Sequence, residues 1–300
     1  MNTLQKDILS LKKEKNALIL AHYYQTMDIQ EIGDHVCDSF EMARRASDAD
    51  EKILIICGVR FMAESAKILN PDKTVLLPSP GAGCPMADMI EPEDVLRLRE
   101  EHPEAAVVCY VNSSAAVKAV SDICCTSSSA EKIVRSIPEK KIIFIPDKNL
   151  GAYVAAKVPE KELILFDCYC PIHHRVKESG ILTAKKDYPN AVALVHPECM
   201  PEVLAHADYI GSTAGIIAEA LESEAGEFII GTEIGVVERL RVLDPSKKYY
   251  PLTNGLFCMN MKKTRLSDIK SALENNEFEI TLDDGEMKAA RGSLERMVRI

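Results

Sequence analysis

The chain has 300 residues, 47% hydrophobic and 27% charged, with a net charge of −10. This is ordinary globular composition, enough for one large domain or two to three small ones. The acidic balance excludes a nucleic-acid or anionic-membrane surface, which needs clustered Lys and Arg; an anionic substrate is still allowed, because helix N-termini and hydroxyls can bind one.

Residues 1–20 contain no long apolar core and no small-residue cleavage site, and no later run approaches the ~18–20 apolar residues that span a bilayer. A cytoplasmic location without membrane contact is therefore expected. In that compartment the ten cysteines are expected as reduced thiols or metal ligands rather than disulfides.

The first strand-like run, ALILAHYYQ from Ala17, ends in a polar and aromatic cluster at His22. A polar step, CDSFEMARRA from Cys37, opens a helix. KILIICGVRF then reads as a strand, AESAKIL as a helix, and VLLPSPGAGCPMA as a strand and turn that deliver Cys84. The same order returns with AVVCYVNSS from Ala106, CTSSSAEKIV from Cys125, KKIIFIPDKN, GAYVAAKV and ELILFDCYCPIHH, which delivers Cys170. It returns again with AVALVHPEC from Ala191, GSTAGIIAEA from Gly211, EFIIGTEIG, GVVERLRVL and YYPLTNGLFCMNM, ending in Cys258. A helical tail, 266–300, follows.

Several landmarks share one period. His22, Tyr110 and His196 are spaced 88 and 86 residues apart, the hydroxyls Ser39, Ser127 and Ser212 are 88 and 85 apart, and Cys84, Cys170 and Cys258 are 86 and 88 apart. Short apolar strands alternating with amphipathic helices indicate parallel sheets covered on both faces. The expected fold is α/β: three similar three-layer αβα units with parallel sheets around a pseudo-threefold axis. The units run over 1–84, completed by the C-terminal segment 259–300 packing back on it, then 85–170 and 171–258. Ligands bind at the carboxyl ends of parallel strands, and His22, Tyr110, His196 and the three cysteines all fall at such ends.

One cysteine per unit places three thiols where the units meet, a donor set for a soft metal centre. A [4Fe–4S] cluster usually takes four thiolates; three leave one iron open to act as a Lewis acid. The other cysteines read as small core hydrophobes. Cys168 neighbours Cys170, and Cys168-Tyr169-Cys170-Pro171-Ile172-His173-His174 also reads as a zinc half-site, although no second compact half-site exists and Cys170 keeps the better register.

A series of short motifs runs along nearly the whole chain: AHYYQ (21–25), CDS (37–39), GVRFMAESAKILNP (58–71), YVNSSA (110–115), PDKNL (146–150), CPIH (170–173), HPEC (196–199), GST (211–213) and CMNMK (258–262). Together and in order they resemble the quinolinate synthase family. The resemblance departs in the first motif, where Tyr23 stands in place of the family's Asn and Tyr24 matches its tyrosine. It implies condensation of iminoaspartate with dihydroxyacetone phosphate to give quinolinate, phosphate and water on the route to NAD. It also implies a [4Fe–4S] cluster held by Cys84, Cys170 and Cys258, with Cys170 matched by its offset to His173.

On the same footing Tyr24 is expected in acid–base work; Glu198, the one carboxylate in the three strand-end clusters, is expected in proton transfer or in ligating a late intermediate to the open iron. Two carboxylates and a phosphate must be bound. His22, Tyr110, Asn112, His173 and His196 supply hydrogen-bonding groups for them, and Ser39, Ser127, Ser212 and Thr213 add hydroxyls at helix starts. An N-cap is the plainer reading of any one such hydroxyl. The expected partners are the two small-molecule substrates, with room for a transient contact with the enzyme that supplies iminoaspartate. Two other readings stay open on the residues alone: an iron–sulfur hydro-lyase acting on another hydroxy acid, and a non-catalytic zinc or redox-sensing protein.

Overall fold

The computed structural model describes residues 1–299; Ile300, the last residue of the expected tail, lies outside the described residues. Three four-stranded, all-parallel sheets follow one another along the chain. The first holds β1 (Ala17–His22), β2 (His35–Cys37), β3 (Ile53–Cys57) and β4 (Thr74–Leu76) in the order β2-β1-β3-β4. The second, β5 (Ala106–Tyr110), β6 (Ile123–Cys125), β7 (Lys141–Ile145) and β8 (Glu162–Leu165), and the third, β9 (Val192–Val195), β10 (Tyr209–Ile210), β11 (Glu227–Gly231) and β12 (Lys248–Pro251), repeat that order. The expected triplicated αβα fold is thus observed.

The strands are short Ile-, Val- and Leu-rich runs, and alternate side chains feed two cores. In the first sheet Leu18, Leu20, Leu54 and Ile56 face one core, while Ile19, Ala21, Ile55 and Cys57 face the other. In the third sheet Ala193 and Ile229 face one core and Leu194 and Ile230 the other. The core of the first sheet's inner face continues into the second sheet through Val108, Ile143 and Phe144.

A recurring brace shows how closely the units repeat. Asp34, Asp122 and Asp208 each accept the backbone N–H of the first strand of their sheet, at Ile19 (2.8 Å), Val107 (2.7 Å) and Ala193 (2.8 Å). The same carboxylates pair with a cation on the helix that precedes that strand: Lys12 (2.5 Å), Arg99 (2.8 Å) and Lys185 (3.0 Å). The brace ties helix, first strand and second strand together, and its three copies keep the 88- and 86-residue spacing.

The units close a ring. The helix after the third strand of each sheet (Arg60–Leu69, Lys148–Lys157, Ile234–Leu243) packs on the short helix after the first strand of another unit (Ala115–Ala119, Pro201–Leu204, Met27–Gln30). In the tail, helix Leu266–Asn275 packs on Thr3–Glu14 of the first unit. Helix Asp284–Val298 lies against Ala115–Ala119 and β6 of the second unit and against Arg60–Leu69 of the first, bridging the two. No helix among the described residues is long and apolar enough to cross a membrane.

Candidate active site and metal centre

The carboxyl ends of the three sheets surround a cavity of about 210 Å³. Each sheet delivers its cysteine to this cavity in the same way. The first residue of the helix after the third strand donates its N–H to a carbonyl on the returning turn: Arg60 to Ala82 (2.8 Å), Lys148 to Cys168 (2.8 Å) and Ile234 to Leu256 (2.9 Å). Two residues further on, Cys84, Cys170 and Cys258 line the cavity.

Cys168 therefore occupies the place of Ala82 and Leu256, not that of a cavity-lining cysteine. It is buried, and its Sγ donates to the Met89 carbonyl at 3.3 Å. Cys37, Cys57, Cys109, Cys124, Cys125 and Cys199 are buried and do not line the cavity. His174 stacks on Tyr169, with centroids 4.0 Å apart, and meets Asn149 at 3.0 Å, so the sequence half-site is not assembled around one ion.

Burial pushes the Cys84 thiol up to about 12, raises Cys170 well above its ordinary value, and raises Cys258 as well. Three thiolates in this cavity consequently require a cationic centre to displace their protons. Among the described residues, the one group of three Cys, His, Asp or Glu donors within 4.8 Å of one another is Cys170, His173 and Glu198. A single tetrahedral zinc, with Zn–S of about 2.3 Å, would need its thiolates about 3.8 Å apart. Cys84, Cys170 and Cys258 are not such a compact group; as soft donors around one cavity they are instead consistent with a [4Fe–4S] cluster, and His173 and Glu198 lie beside Cys170.

The polar side chains form a continuous path. Tyr24 Oη lies 2.9 Å from Thr213 Oγ1 and 2.8 Å from Thr232 Oγ1. Thr232 Oγ1 is 3.1 Å from His173 Nε2, and His173 Nδ1 is 2.6 Å from Glu198 Oε2. Glu198 Oε1 accepts the Tyr110 hydroxyl at 2.8 Å. His196 stacks on His173 with centroids 4.8 Å apart, and its Nδ1 accepts the Glu198 N–H at 3.3 Å. His22 Nδ1 accepts the Tyr24 N–H at 3.1 Å, and its ring meets the Tyr24 ring edge-on.

Environment separates these groups into donors and acceptors. Burial, reinforced by the Glu198 charge, holds Tyr24 and Tyr110 well above the usual tyrosine value, so both stay protonated. Burial also opposes ionisation of Glu198, but the His196 and His173 rings and the hydrogen bonds from His173 and Tyr110 outweigh it and bring the carboxyl to about 2. Burial lowers His22 and His196 to about 3, so they remain neutral.

The hydroxyls divide. Ser39, Ser127 and Thr213 line the cavity, whereas Ser212 does not; its Oγ caps helix Thr213–Glu222 through the Gly215 N–H at 3.1 Å. Under the spacing of 88 and 86 that the sheets obey, Thr213 is the counterpart of Ser39 and Ser127, and Ser212 is the counterpart of Asp38, which caps the first of these helices. Asn112 lines the cavity, and its Oδ1 is buried without a hydrogen-bond partner. Sequence reasoning passed over Thr232, Asp147 and Glu233, all fully buried at the start of the helices after β11 and β7. The signal that would have found Asp147 and Glu233 is an acidic residue two positions beyond the third strand in two of the three repeats.

The sequence model of the quinolinate synthetase A protein family matches residues 6–299. Among curated relatives, the quinolinate synthase of Caldicellulosiruptor saccharolyticus is 50% identical over 297 residues, covering 99% of this chain and 98% of the relative. That of Alkaliphilus metalliredigens is 52% identical over 294 residues (98% and 97%), and that of Thermodesulfovibrio yellowstonii 46% over 300 residues (100% and 99%).

Proposed function

We infer the function from the premise that this chain belongs to the quinolinate synthetase A family. It is an enzyme that makes quinolinate, condensing iminoaspartate with dihydroxyacetone phosphate and releasing phosphate and water. When bound, a [4Fe–4S] cluster with three cysteine ligands offers one open iron, which supplies Lewis-acid polarisation of a substrate oxygen. Every other requirement falls to side chains: binding two carboxylates and a phosphate, and moving protons between carbon, nitrogen and oxygen.

The observation that carries the residue assignment is the path of close polar contacts Tyr24–Thr232–His173–Glu198–Tyr110 beside the cysteine-lined cavity, in which hydrogen bonds are joined by the 2.6 Å ion-pair contact of His173 Nδ1 with Glu198 Oε2. Tyr24, held protonated, is a proton donor to substrate; Glu198, held ionised, is a proton acceptor. His173 and Thr232 connect the two, so a proton taken at Glu198 can be returned at Tyr24 without passing through bulk water. His22 and His196, held neutral, can donate from one ring nitrogen to a carboxylate without becoming a charge that traps product.

The anionic groups of the substrates meet hydroxyls and amides rather than a lysine cluster. Ser39, Ser127 and Thr213 are the phosphate and carboxylate donors in this assignment, and Asn112, with its unpartnered Oδ1, takes a substrate N–H or O–H. The Arg175 side chain is the guanidinium on the cavity wall. Iminoaspartate and dihydroxyacetone phosphate are the substrates in this reading. The decisive test is anaerobic incubation of the iron- and sulfide-loaded protein with both substrates. Quinolinate is expected in parent protein and is lost, with the iron retained, in Tyr24→Phe and Glu198→Gln. A loaded parent that forms no pyridine dicarboxylate overturns the function, and a fully active Y24F overturns the assignment of Tyr24.

A further inference from the structure

The helices that follow the third strands begin at equivalent positions, Val59, Asp147 and Glu233. Asp147 caps its helix with one oxygen, Oδ1 to the Leu150 N–H at 2.8 Å, and Glu233 does so with Oε2 to the Gly235 N–H at 2.7 Å. In both, the second oxygen is used elsewhere. Asp147 Oδ2 accepts the N–H of Cys170 at 3.0 Å, and Glu233 Oε1 accepts the N–H of Cys258 at 3.2 Å. Val59 has no oxygen to offer, so the Cys84 corner is without this link.

Helix capping alone does not account for these two residues. Glutamate is not among the favoured N-caps, and a fully buried carboxylate is costly unless each oxygen finds donors. Glu233 also holds Lys262 Nζ at 3.2 Å, and Lys262 Nζ donates to the Tyr24 carbonyl. One carboxylate thereby ties together the main chain of a cysteine and the main chain of Tyr24, 234 positions apart in the chain.

We propose that Asp147 and Glu233 are positioning residues for the metal centre, each fixing the main chain of its cysteine so that the sulfur is presented to the axis. Glu233 additionally locks that corner to Tyr24 through Lys262. The inference rests on reading Cys84, Cys170 and Cys258 as the cluster ligands. The outer partners that orient a ligand change metal affinity by about 10- to 100-fold when removed, and an effect of that size is expected here.

The test compares anaerobically loaded full-length protein with its Asp147→Ala and Glu233→Ala variants, and with Asp283→Ala as a control that removes a helix cap (Gly285 and Glu286 N–H) remote from any cysteine amide. The readouts are iron and sulfide per chain, the rate at which a strong iron chelator bleaches the visible absorbance, and the electron paramagnetic resonance spectrum after reduction. D147A and E233A should bleach about 10-fold faster or more and show an altered spectrum, while D283A should match the parent. Folded D147A and E233A proteins with parental bleaching and spectra would falsify the proposal. If the alanine variants do not fold, Asp147→Asn and Glu233→Gln decide by the same criterion, since each keeps size but loses one acceptor oxygen. A parent chain that takes up no iron defeats the cluster reading itself, a different outcome from variants that merely equal the parent.

Discussion

Replacing Thr232 by Val tests the proton path at its middle. The substitution keeps shape and burial and replaces one hydroxyl, Oγ1, by a methyl group; that oxygen sits 2.8 Å from Tyr24 Oη and 3.1 Å from His173 Nε2. Two hydrogen bonds are lost, each with a net value of about 0.5–1.5 kcal/mol, so the path loses about 1–3 kcal/mol. If the whole of that loss falls on the transition state, kcat drops about 5- to 160-fold. Thr232 does not line the cavity, so KM for both substrates should stay near the parental value. The measurement is steady-state quinolinate formation normalised to iron content, with iron and sulfide determined on the same samples. Parental kcat at parental iron content would refute a path through Thr232 and leave Tyr24 and Glu198 to act separately through substrate.

Two further outcomes follow from the geometry. Cys170→Ser should fail to assemble the cluster, while Cys168→Ser should retain it, because only Cys170 lines the cavity and Cys168 bonds to the Met89 carbonyl; iron and sulfide analysis after loading checks both. Stability should fall from pH 7 to pH 5: His22 and His196 stay neutral in the fold down to about 3, whereas the unfolded chain protonates them near 6.5, at up to about 1.4 kcal/mol per pH unit for each. Glu198, whose carboxyl is held at about 2, contributes stability that is lost only as the pH falls from ~4.3 through that value, outside this window. The thermal midpoint of His196→Asn should therefore change less between pH 7 and 5 than that of the parent, and an equal change would contradict the neutral, buried state of His196.

Much of the fold was legible because one pattern is written three times. Apolar runs at a common period give strands, and the recurrence of cysteines at the same offset from those strands points to a shared centre. The side-chain cluster at the strand ends was legible for the same reason: His22, Tyr110 and His196 stand at equivalent ends of equivalent strands. The hydroxyls show where such reading stops. Ser212 resembles Ser39 and Ser127 by residue type, yet strand pairing shifts the equivalence by one residue to Thr213. Thr232 was illegible because its meaning depends on Tyr24, 208 residues earlier in the chain and on a different sheet. Asp147 and Glu233 resemble ordinary caps until the second oxygen of each is followed to a cysteine N–H.

The ring of three units has a consequence for how the protein is made and kept. With the proposed ligand set no unit owns the metal site: each brings one sulfur, so two folded units and one open one present an incomplete set. Cluster insertion then behaves as a logical conjunction, satisfied only when all three sheets are formed and docked. By linkage, a cofactor that binds only the closed ring opposes the opening of every unit at once, in proportion to the logarithm of its excess over its dissociation constant. Loss of iron should thus loosen all three interfaces together, and proteolytic sensitivity should rise in distant parts of the chain rather than at one cysteine alone.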